Sequence, residues 1–321
     1  MSKLTGIHHI TAMAGDPQRN LDFYTGVLGL RLVKITVNFD DPGTYHFYYG
    51  DGLGRPGTII TFFPWPGAQQ GRAGVHQVGL ISYAVPQSAV GYWAQRLLEK
   101  GVAYKTEQRD GLTRLVFKDP DGIGTELVAM PAAPEASSWP EAPVPADHAI
   151  RGFYGAQMWV LRAAPSVKLL ETLGYTQVGQ SENITHLAPQ DGFGFGRVEV
   201  RESGQFLAGR GGVGTVHHIA FRVPDEAAQL ELRQTLMGAG VPATAVQERQ
   251  YFRSIYFREP GGVLFEVATD VPGFATDEPF EALGTSLKLP GWLEPHRAQI
   301  EGSLPKIRVG EVEVPKAAVG A

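Results

Sequence analysis

The chain repeats one structural pattern four times along its 321 residues. Each repeat contains a strand, a helix, a glycine-containing turn and further strands that end in an apolar run. A helix after a single strand, followed by hairpin strands, predicts an α+β fold built from repeated units. The repeats, named units one to four, begin with GIHHITAMAGDPQRNLDFYTGVLG, GVHQVGLISYAVPQSAVGYWAQRLLEKG, GAQMWVLRAAPSVKLLETLGYTQVG and TVHHIAFRVPDEAAQLELRQTLMGAG.

A proline-rich stretch, residues 131–149, separates units two and three. Its prolines cannot lie inside a packed helix or sheet, so we expect a stiff, extended linker. These prolines are Pro131, Pro134, Pro140, Pro143 and Pro145. We therefore predict an N-terminal half at 1–130, the linker at 131–149, a C-terminal half at 150–271 and a tail at 272–321. A short helix is expected in the tail near 294–300.

The helix starts in units one and four carry recognisable capping residues. Asp16 can cap the first helix, and Pro17 suits its first helical position. In unit four the helix is expected to open at Pro224 and Asp225. Its predicted apolar face comprises Leu230, Leu232, Leu236 and Met237.

Units one and four open with the same tripeptide, His-His-Ile, at residues 8–10 and 217–219. Neighbouring residues on a strand point to opposite faces of the sheet. In unit four the apolar residues at 219, 221 and 223 define the face that packs on the helix. His218 should therefore face the hollow of the sheet, and the same phase turns His9 inward.

The last strand of unit four carries a third inward-facing group, Glu266, between Phe265 and Val267. A carboxylate in a half-buried strand is costly unless it is paired or bound to a metal. Taken singly, a histidine or glutamate of this kind is more often a hydrogen-bonded structural residue. Two imidazoles and one carboxylate together form the facial triad that suits Fe(II), with positions left open for substrate and dioxygen. We predict a metal site at His9, His218 and Glu266.

The sequence leaves two pairings of the units open. Aligned on their glycine turns, the unit endings place Thr61, Glu126 and Glu266 at one position, and the openings place Gln77 opposite the second histidine of each doublet. If units one and four share a site, it holds two histidines, Thr61 and Glu266. If units one and two share it, it holds one histidine, Thr61, Gln77 and Glu126. The first pairing is favoured because imidazole suits first-row metals better than a carboxamide.

At these residues the chain resembles the vicinal oxygen chelate superfamily, also called the glyoxalase/bleomycin-resistance/dioxygenase superfamily. Within it, the chain is similar to ring-cleaving dioxygenases that act on hydroquinones. The resemblance covers nearly the whole chain. It is carried by HHIT, by PGT and FFP at the end of unit one, by RGF after the linker, by HHIAF, YF and PGGVLFE, and by GF, DE and LG in the tail. It agrees with an α+β fold of four βαβββ modules in two tandem halves, paired into concave mixed sheets around a metal cleft.

The resemblance also implies roles for individual residues. In that family the second histidine of each doublet and the glutamate bind Fe(II) or Mn(II). The first histidine of each doublet, an arginine and a tyrosine lie close to the chemistry, and they correspond to His8, His217, Arg249 and Tyr256. Arg253 competes with Arg249 for the arginine role. The aromatic residues Phe62, Phe63, Trp65, Tyr251 and Phe252 could line a pocket for a flat ring, although their default place is the core.

The expected activity is therefore that of an Fe(II)-dependent, extradiol-type dioxygenase that cleaves hydroquinone- or catechol-type rings with O2. One alternative is a metal-dependent lyase or isomerase like glyoxalase I. That chemistry uses a carboxylate from each paired unit, and Thr61 stands where one would be needed. The other alternative is a non-catalytic protein that binds small molecules, for which the histidine doublets and Glu266 would be surplus.

The composition of the chain argues against some classes of binding partner and cellular location. The net charge is −5 and no dense Lys/Arg run occurs, which argues against nucleic acid. The chain has no cysteine, which excludes disulfides and thiolate ligands and fits a reducing compartment. No signal peptide and no apolar run of membrane-spanning length is present. We expect a cytoplasmic protein, and a homodimer is the default oligomer.

Overall fold

The computed structural model describes residues 2–135, 137, 139, 141–190, 195–204 and 206–315. Within these ranges, each of the four units has one strand, one helical segment and then three strands, as the repeats predict. Pro140 of the expected linker lies outside the described residues. None of the helices in these ranges has the length and apolar character needed to cross a bilayer.

The N-terminal two units contain eight strands. Unit one consists of β1 (Ile7–Ala14), α1 (Pro17–Leu21), a π-helical segment (Asp22–Val27), β2 (Arg31–Asn38), β3 (Asp41–Gly50) and β4 (Ile59–Pro64). Unit two consists of β5 (Gln77–Pro86), a 3₁₀ turn (Gln87–Ala89), α2 (Val90–Glu99), β6 (Tyr104–Arg109), β7 (Leu112–Lys118) and β8 (Gly124–Met130).

The C-terminal two units repeat this order and are followed by the tail. Unit three consists of β9 (Phe153–Val160), α3 (Ala163–Thr172), β10 (Tyr175–Ser181), β11 (Ile184–Pro189) and β12 (Arg197–Glu202). Unit four consists of β13 (Thr215–Val223), α4 (Glu226–Gly238), β14 (Gln247–Glu248), β15 (Phe252–Arg258) and β16 (Leu264–Pro272). The tail has 3₁₀ turns (Phe274–Thr276, Phe280–Ala282, Glu294–His296), α5 (Arg297–Ser303) and the hairpin β17 (Ile307–Val309) and β18 (Val312–Val314).

Two eight-stranded mixed sheets organise these units in an interlocked way. The first sheet has the order β14-β15-β16-β13-β1-β4-β3-β2, and the second has the order β10-β11-β12-β9-β5-β8-β7-β6. Units one and four therefore share a sheet, and units two and three share the other. The pairing favoured from the sequence is confirmed, and a site shared by units one and two is wrong.

Strand phase in the first sheet follows the prediction. Ile10, Ile219 and Phe265 are fully buried in the main core, on the face that also packs against Leu21 and Leu232 of the helices. The alternate residues of the same strands face the hollow of the sheet. Apolar burial of this kind contributes roughly 1.5–3 kcal/mol for each large side chain. A slip by one residue would expose the apolar set, so burial fixes the register that places the polar groups.

The predicted caps are confirmed. The Asp16 carboxylate accepts a hydrogen bond from Arg19 N at 2.8 Å, and the Asp225 carboxylate accepts one from Ala228 N at 2.9 Å. Each satisfies an amide that the helix itself leaves without an acceptor. The helical segment of unit one continues beyond Leu21 as a π-helix, which the sequence pattern did not reveal.

The prediction of the apolar face of α4 is right for two of its four residues. Leu232 and Leu236 are buried, whereas Leu230 is 42% and Met237 is 52% exposed. Residues four apart lie on one face of a helix, while successive residues are about 100° apart. The face that meets the sheet continues through Gln229, so the residues one step further along the chain turn toward solvent.

The linker is not a free extended spacer. Val144 is buried and packs against Gly29, where a Cβ would come within 2.4 Å of the valine side chain. Gly29 has a φ of 68°, a left-handed conformation that glycine adopts without strain. The chain turns again at 145–148. The linker is therefore attached to the end of the first helical segment.

The tail closes one end of the hollow in the first sheet. Phe274 and Leu283 join a buried cluster with Tyr48, Tyr251 and other residues of the hollow. The expected tail helix is also confirmed, since α5 follows the turn at Glu294–His296 and buries Ile300. The tail thereby packs behind Tyr48, which itself lines the cavity described below.

A buried lysine of β2 fastens this tail. Lys34 Nζ, with no exposed surface, lies 2.6 Å from Asp277 Oδ1, 2.5 Å from Glu278 Oε1 and 3.1 Å from Phe274 O. Removing one member of a buried ion pair leaves an uncompensated charge, which costs far more than the loss of a surface pair.

We expect Lys34→Met to destabilise the protein by about 3–5 kcal/mol in urea unfolding, because Glu278 would stay buried with its nearest cation removed. The matched control is Lys306→Met, whose pairing with Glu313 at 3.7 Å is about half exposed on both sides and should be worth less than about 1 kcal/mol. Equal effects of the two substitutions would show that Lys34 does not hold the tail.

Candidate metal centre and substrate cleft

Two β-bulges shape the centre of the first sheet. The pairing of β1 with β13 skips one residue on each strand, and the extra residues are His8 and His217. A bulge re-aims side chains and often lies beside a functional site. His8 Nδ1 consequently lies 2.9 Å from His9 Nδ1, and His217 Nδ1 lies 2.7 Å from His218 Nδ1. Strict alternation would have placed both first histidines on the opposite face.

The remaining ring nitrogens converge with a carboxylate. His9 Nε2 and His218 Nε2 are 3.4 Å apart, and Glu266 Oε2 lies 3.5 Å from the former and 2.8 Å from the latter. All three side chains are buried. Glu266 Oε1 accepts a short hydrogen bond from Ser254 Oγ, whereas Oε2 has no hydrogen-bond partner within the described residues. The three atoms thus face one point without satisfying one another.

Electrostatics favour the protonation states that a metal ligand needs. Burial raises the pKa of Glu266, but the facing His9 and His218 outweigh it and hold that pKa well below the usual range. Burial lowers the pKa of His218, so this imidazole is neutral at pH 7. Neutral imidazoles and a carboxylate suit divalent first-row metals. The Nδ1 atoms of His9 and His218 each contact the neighbouring histidine, while Glu266 Oε2 has no partner among the described residues. Metal-bound histidines usually have such a hydrogen-bond partner on the ring nitrogen that does not bind the metal.

A cavity of about 440 Å³ opens above these three groups. Unit one contributes the rings of Phe39, Phe63 and Trp65 to its lining, and unit four contributes Phe252 and Tyr256. Aromatic walls of this kind accept a flat ring. Phe62 and Tyr251, which were also considered for the pocket, lie in buried clusters instead.

Arg249 and Tyr256 lie together on the unit-four side of the cavity. The Arg249 guanidinium donates to Tyr256 Oη at 3.2 Å and to Gln247 Oε1 at 2.7 Å, and it reaches Asp40 Oδ2 at 3.1 Å. Asp40 follows β2 in the turn to β3, so this contact joins the two edges of the curled sheet across the mouth of the cavity. Burial is the main cause that raises the pKa of Tyr256, so its phenol is protonated at neutral pH.

Arg253, the competing arginine, lies elsewhere. It is directed away from the cavity and pairs with Glu226 and Glu248 at an exposed edge. His8 does not line the cavity either. It is 2% exposed and lies behind His9, with its ring centroid 5.2 Å from that of Phe252. His217, in contrast, lies on the exposed rim of the cavity.

The sequence reasoning missed His46, which lines the cavity from β3. Its Nδ1 lies 2.9 Å from Tyr48 Oη, and its Nε2 lies 2.9 Å from Thr61 Oγ1, which in turn donates to Thr11 Oγ1 at 2.8 Å. Burial lowers the pKa of His46, so the ring is neutral. Strand alternation could have found it, since its immediate neighbours on β3 point to the core.

The same network explains why Thr61 is a poor metal ligand. Its hydroxyl is already engaged by His46 and Thr11. A carboxylate from this strand would be required for a fuller protein ligand set, and a hydroxyl held in this way does not replace it.

The second sheet corrects one sequence alignment. Thr61 pairs with Thr11 in the first sheet, and Glu126 pairs with Ser82 in the second. The counterpart of His9, two residues before Thr11, is therefore Leu80. Gln77 was expected at this place, and that expectation is wrong. Equivalent positions in the two sheets are defined by the pairing of the strands, whereas the expectation rested on the similar sequences at the start of each unit.

An ion-pair network fills the hollow of the second sheet. The Glu126 carboxylate accepts hydrogen bonds from Arg114 Nη1 at 2.5 Å and from Arg109 Nη2 at 2.6 Å. Arg114 Nη1 also lies 3.7 Å from Glu199 Oε1. Within the described residues, a second group of potential metal ligands, Asp110, His186 and Glu199, lies beside this network. The buried Arg114 guanidinium already supplies a positive charge there, which disfavours a metal cation.

Comparison with known proteins agrees with this architecture. The family model described as Glyoxalase/Bleomycin resistance protein/Dioxygenase superfamily matches residues 6–127. A crystal structure of a Bacillus subtilis subsp. subtilis str. 168 protein, described as an inferred dioxygenase, superposes with a TM-score of 0.93 at 46% identity and covers 97% of this chain and all of that one. Glyoxalase I from Zea mays, at 16% identity and a TM-score of 0.63, covers 83% of this chain and 92% of its own and shares the fold.

Two full-length relatives narrow the family. MhqO of Bacillus subtilis (strain 168), named after an inferred ring-cleaving dioxygenase activity, is 47% identical over 97% of this chain and 99% of its own length. The chlorohydroquinone/hydroquinone 1,2-dioxygenase of Sphingobium indicum is 34% identical over 91% of this chain and 93% of its own. The chain belongs to the glyoxalase/bleomycin resistance protein/dioxygenase superfamily. Within it, the chain groups with the ring-cleaving dioxygenases.

We expect one divalent ion per chain, and we expect it at His218 rather than at the second group of ligand-type residues. Mn(II) titration followed by electron paramagnetic resonance should show one site in the parent. That site should be lost in His218→Ala and kept in His186→Ala, because Arg114 excludes a cation from the second group. Loss of the site only in His186→Ala would reverse the assignment.

Proposed function

We propose that this protein is an Fe(II)-dependent dioxygenase that uses O2 for extradiol-type cleavage of a hydroquinone- or catechol-type ring. The observation that carries the proposal is the convergence of His9 Nε2, His218 Nε2 and Glu266 Oε2 within 3.5 Å at the floor of an aromatic-lined cavity. The hydroquinone activity in the name of the Sphingobium relative supports the choice of substrate class.

In this proposal His9, His218 and Glu266 hold the metal, and Fe(II) and Mn(II) both accept such a ligand set. A metal bound there would lower the pKa of a coordinated ring hydroxyl and allow electrons to pass from the ring to dioxygen. Three protein ligands leave coordination positions open for both reactants. The protein's own groups must then orient the ring and move protons.

Arg249 is assigned to the second oxygen of the ring. Its guanidinium has five donor hydrogens, and three protein acceptors leave some of them free toward the cavity. A fixed positive charge stabilises negative charge that develops on a ring oxygen. Tyr256, protonated and hydrogen-bonded to Arg249, is placed to donate a proton beside it.

The first histidines of the two doublets receive different roles. His217 lies on the rim of the cavity, where an imidazole can pass protons between the reacting groups and solvent. His8 lies behind His9, so we assign it as a positioning residue that fixes the tautomer and orientation of the ligand ring.

The two alternatives have less support. A lyase or isomerase of the glyoxalase I kind would need a further carboxylate, and Thr61 occupies that place with its hydroxyl engaged. A metal-free binding protein would leave the fully buried Glu266 with an unsatisfied oxygen and no cation, which is costly in the interior.

Oxygen consumption by the Fe(II)-reconstituted protein tests the proposal. With a panel of hydroquinones and catechols, we expect uptake that requires substrate, disappears in His218→Ala and persists in His186→Ala. Tight metal binding without uptake on any ring would favour the lyase or isomerase. A parent protein that binds no metal would favour the binding protein.

The arginine assignment has its own test. Arg249→Met should lower kcat/KM by roughly 10²-fold, the usual effect of removing one preorganised donor to a developing oxyanion. Metal content should stay unchanged, because Arg249 does not contact the ligand atoms. Arg253→Met is the matched control and should stay within about twofold of the parent. A larger loss in Arg253→Met than in Arg249→Met would exchange their roles.

A further inference from the structure

We propose that a second cavity, between the two sheets, is a binding site for a small organic monocarboxylate. The cavity has a volume of about 430 Å³ and shares no lining residue with the metal cleft. Its lining includes Arg55, Arg151 and Arg222 together with Pro56 and Phe195. This inference is independent of the proposed dioxygenase activity.

Two of the three arginines already have partners. Arg55 Nε lies 2.5 Å from Asp51 Oδ2, and Arg222 forms a two-pronged pair with Asp270 at 3.0 and 2.6 Å. Neither aspartate lines the cavity, and no Asp or Glu of the described residues does. Among the described residues, the charged side chains of the lining are therefore all positive, and the others are apolar apart from Thr5 and Thr58.

Arg151 is the exception, because its Nε lacks an acceptor. Its Nε is buried without a hydrogen-bond partner within the described residues. Burial lowers the pKa of Arg151, although Asp147 and Glu135 oppose this from a distance. A buried N–H without an acceptor is costly, and such an orphaned donor calls for a water, ion or ligand. The cavity is the space from which that acceptor would approach.

Local backbone packing places Arg151 at this position. Gly152 has a φ of 117°, and a Cβ there would come within 2.7 Å of Gly57 O. The Arg151 backbone amide donates to Ala84 O at 2.8 Å, which ties the residue to the centre of the second sheet. The Arg-Gly-Phe segment after the linker thus presents an arginine over a backbone floor that carries no side chain.

The chemistry of the walls identifies the ligand class. A guanidinium is a planar fork that pairs with a carboxylate through two parallel hydrogen bonds. With Asp51 and Asp270 neutralising two of the arginines, one positive charge remains, which suits a monoanion. Phe195 and Pro56 offer apolar surface to a hydrocarbon body, and the volume is in the range of small-molecule sites.

Benzoate is the probe that tests the site, by isothermal titration into the metal-loaded full-length chain. We expect one benzoate per chain, with affinity at least about tenfold weaker in Arg151→Met. Binding should be unchanged in Arg308→Met, which removes an exposed arginine elsewhere, and in Arg249→Met, which would report binding in the metal cleft instead. Benzamide, which lacks the charge, should not bind.

Three outcomes would overturn the proposal: no benzoate binding to the parent at about 10 mM, binding unaffected by Arg151→Met, or inorganic phosphate binding more tightly than benzoate at this site. The last would show an oxyanion site that does not use the apolar walls. Should Arg151→Met fail to fold, Arg151→Lys keeps the charge and removes the fork, and a weakening of at least about fivefold is then expected.

Discussion

The antiparallel pairing of β1 with β13 is the contact on which the candidate metal centre depends. It joins the first strand of unit one to the first strand of unit four, and it places both histidine doublets at the middle of one sheet. Each strand carries one bulge in this pairing, and the two rings of each doublet lie in contact with each other. The outer ring then holds the inner one by an Nδ1 contact, and the inner rings direct Nε2 to a common point.

Each sheet buries one carboxylate at the equivalent position, Glu266 in the first and Glu126 in the second, but the partners of the two carboxylates differ. Ser254 pairs with Ala268, two residues after Glu266, and Arg114 pairs with Val128, two residues after Glu126. Arg114 thus occupies the place of Ser254. In the second sheet its guanidinium neutralises the carboxylate, and the hollow is filled. In the first sheet the small Ser254 hydroxyl contacts only Oε1, and Glu266 Oε2 has no hydrogen-bond partner among the described residues.

The sequence predicted those features that depend on strand alternation and burial. The inward direction of His9, His218 and Glu266 follows from the apolar residues between them, and the joint sheet of units one and four follows from their ligand types. The bulges could not be predicted, because an extra residue on one strand is defined only against its partner. The same reason explains the misplaced Gln77, while His46 was overlooked although its phase on β3 was readable.

The domain boundaries, the homodimer and the cytoplasmic location stay predictions, and the roles of His8, His217, Arg249 and Tyr256 are proposals. The fold determines which of these side chains lie close to the cavity. Arg249 lies just before β15 and Tyr256 lies on it, and both reach the cavity because β15 pairs with the strand of Glu266. Arg253 lies on the same strand but is directed to its other side.

The interlocked order of the units also affects synthesis of the chain. Units two and three are neighbours in sequence and can pair as soon as both leave the ribosome. Unit one, although made first, must wait for unit four, whose first strand begins about 200 residues later. Contacts between segments so distant in sequence form slowly. Until unit four has been made, the edge of β1 that pairs with β13 has no partner strand.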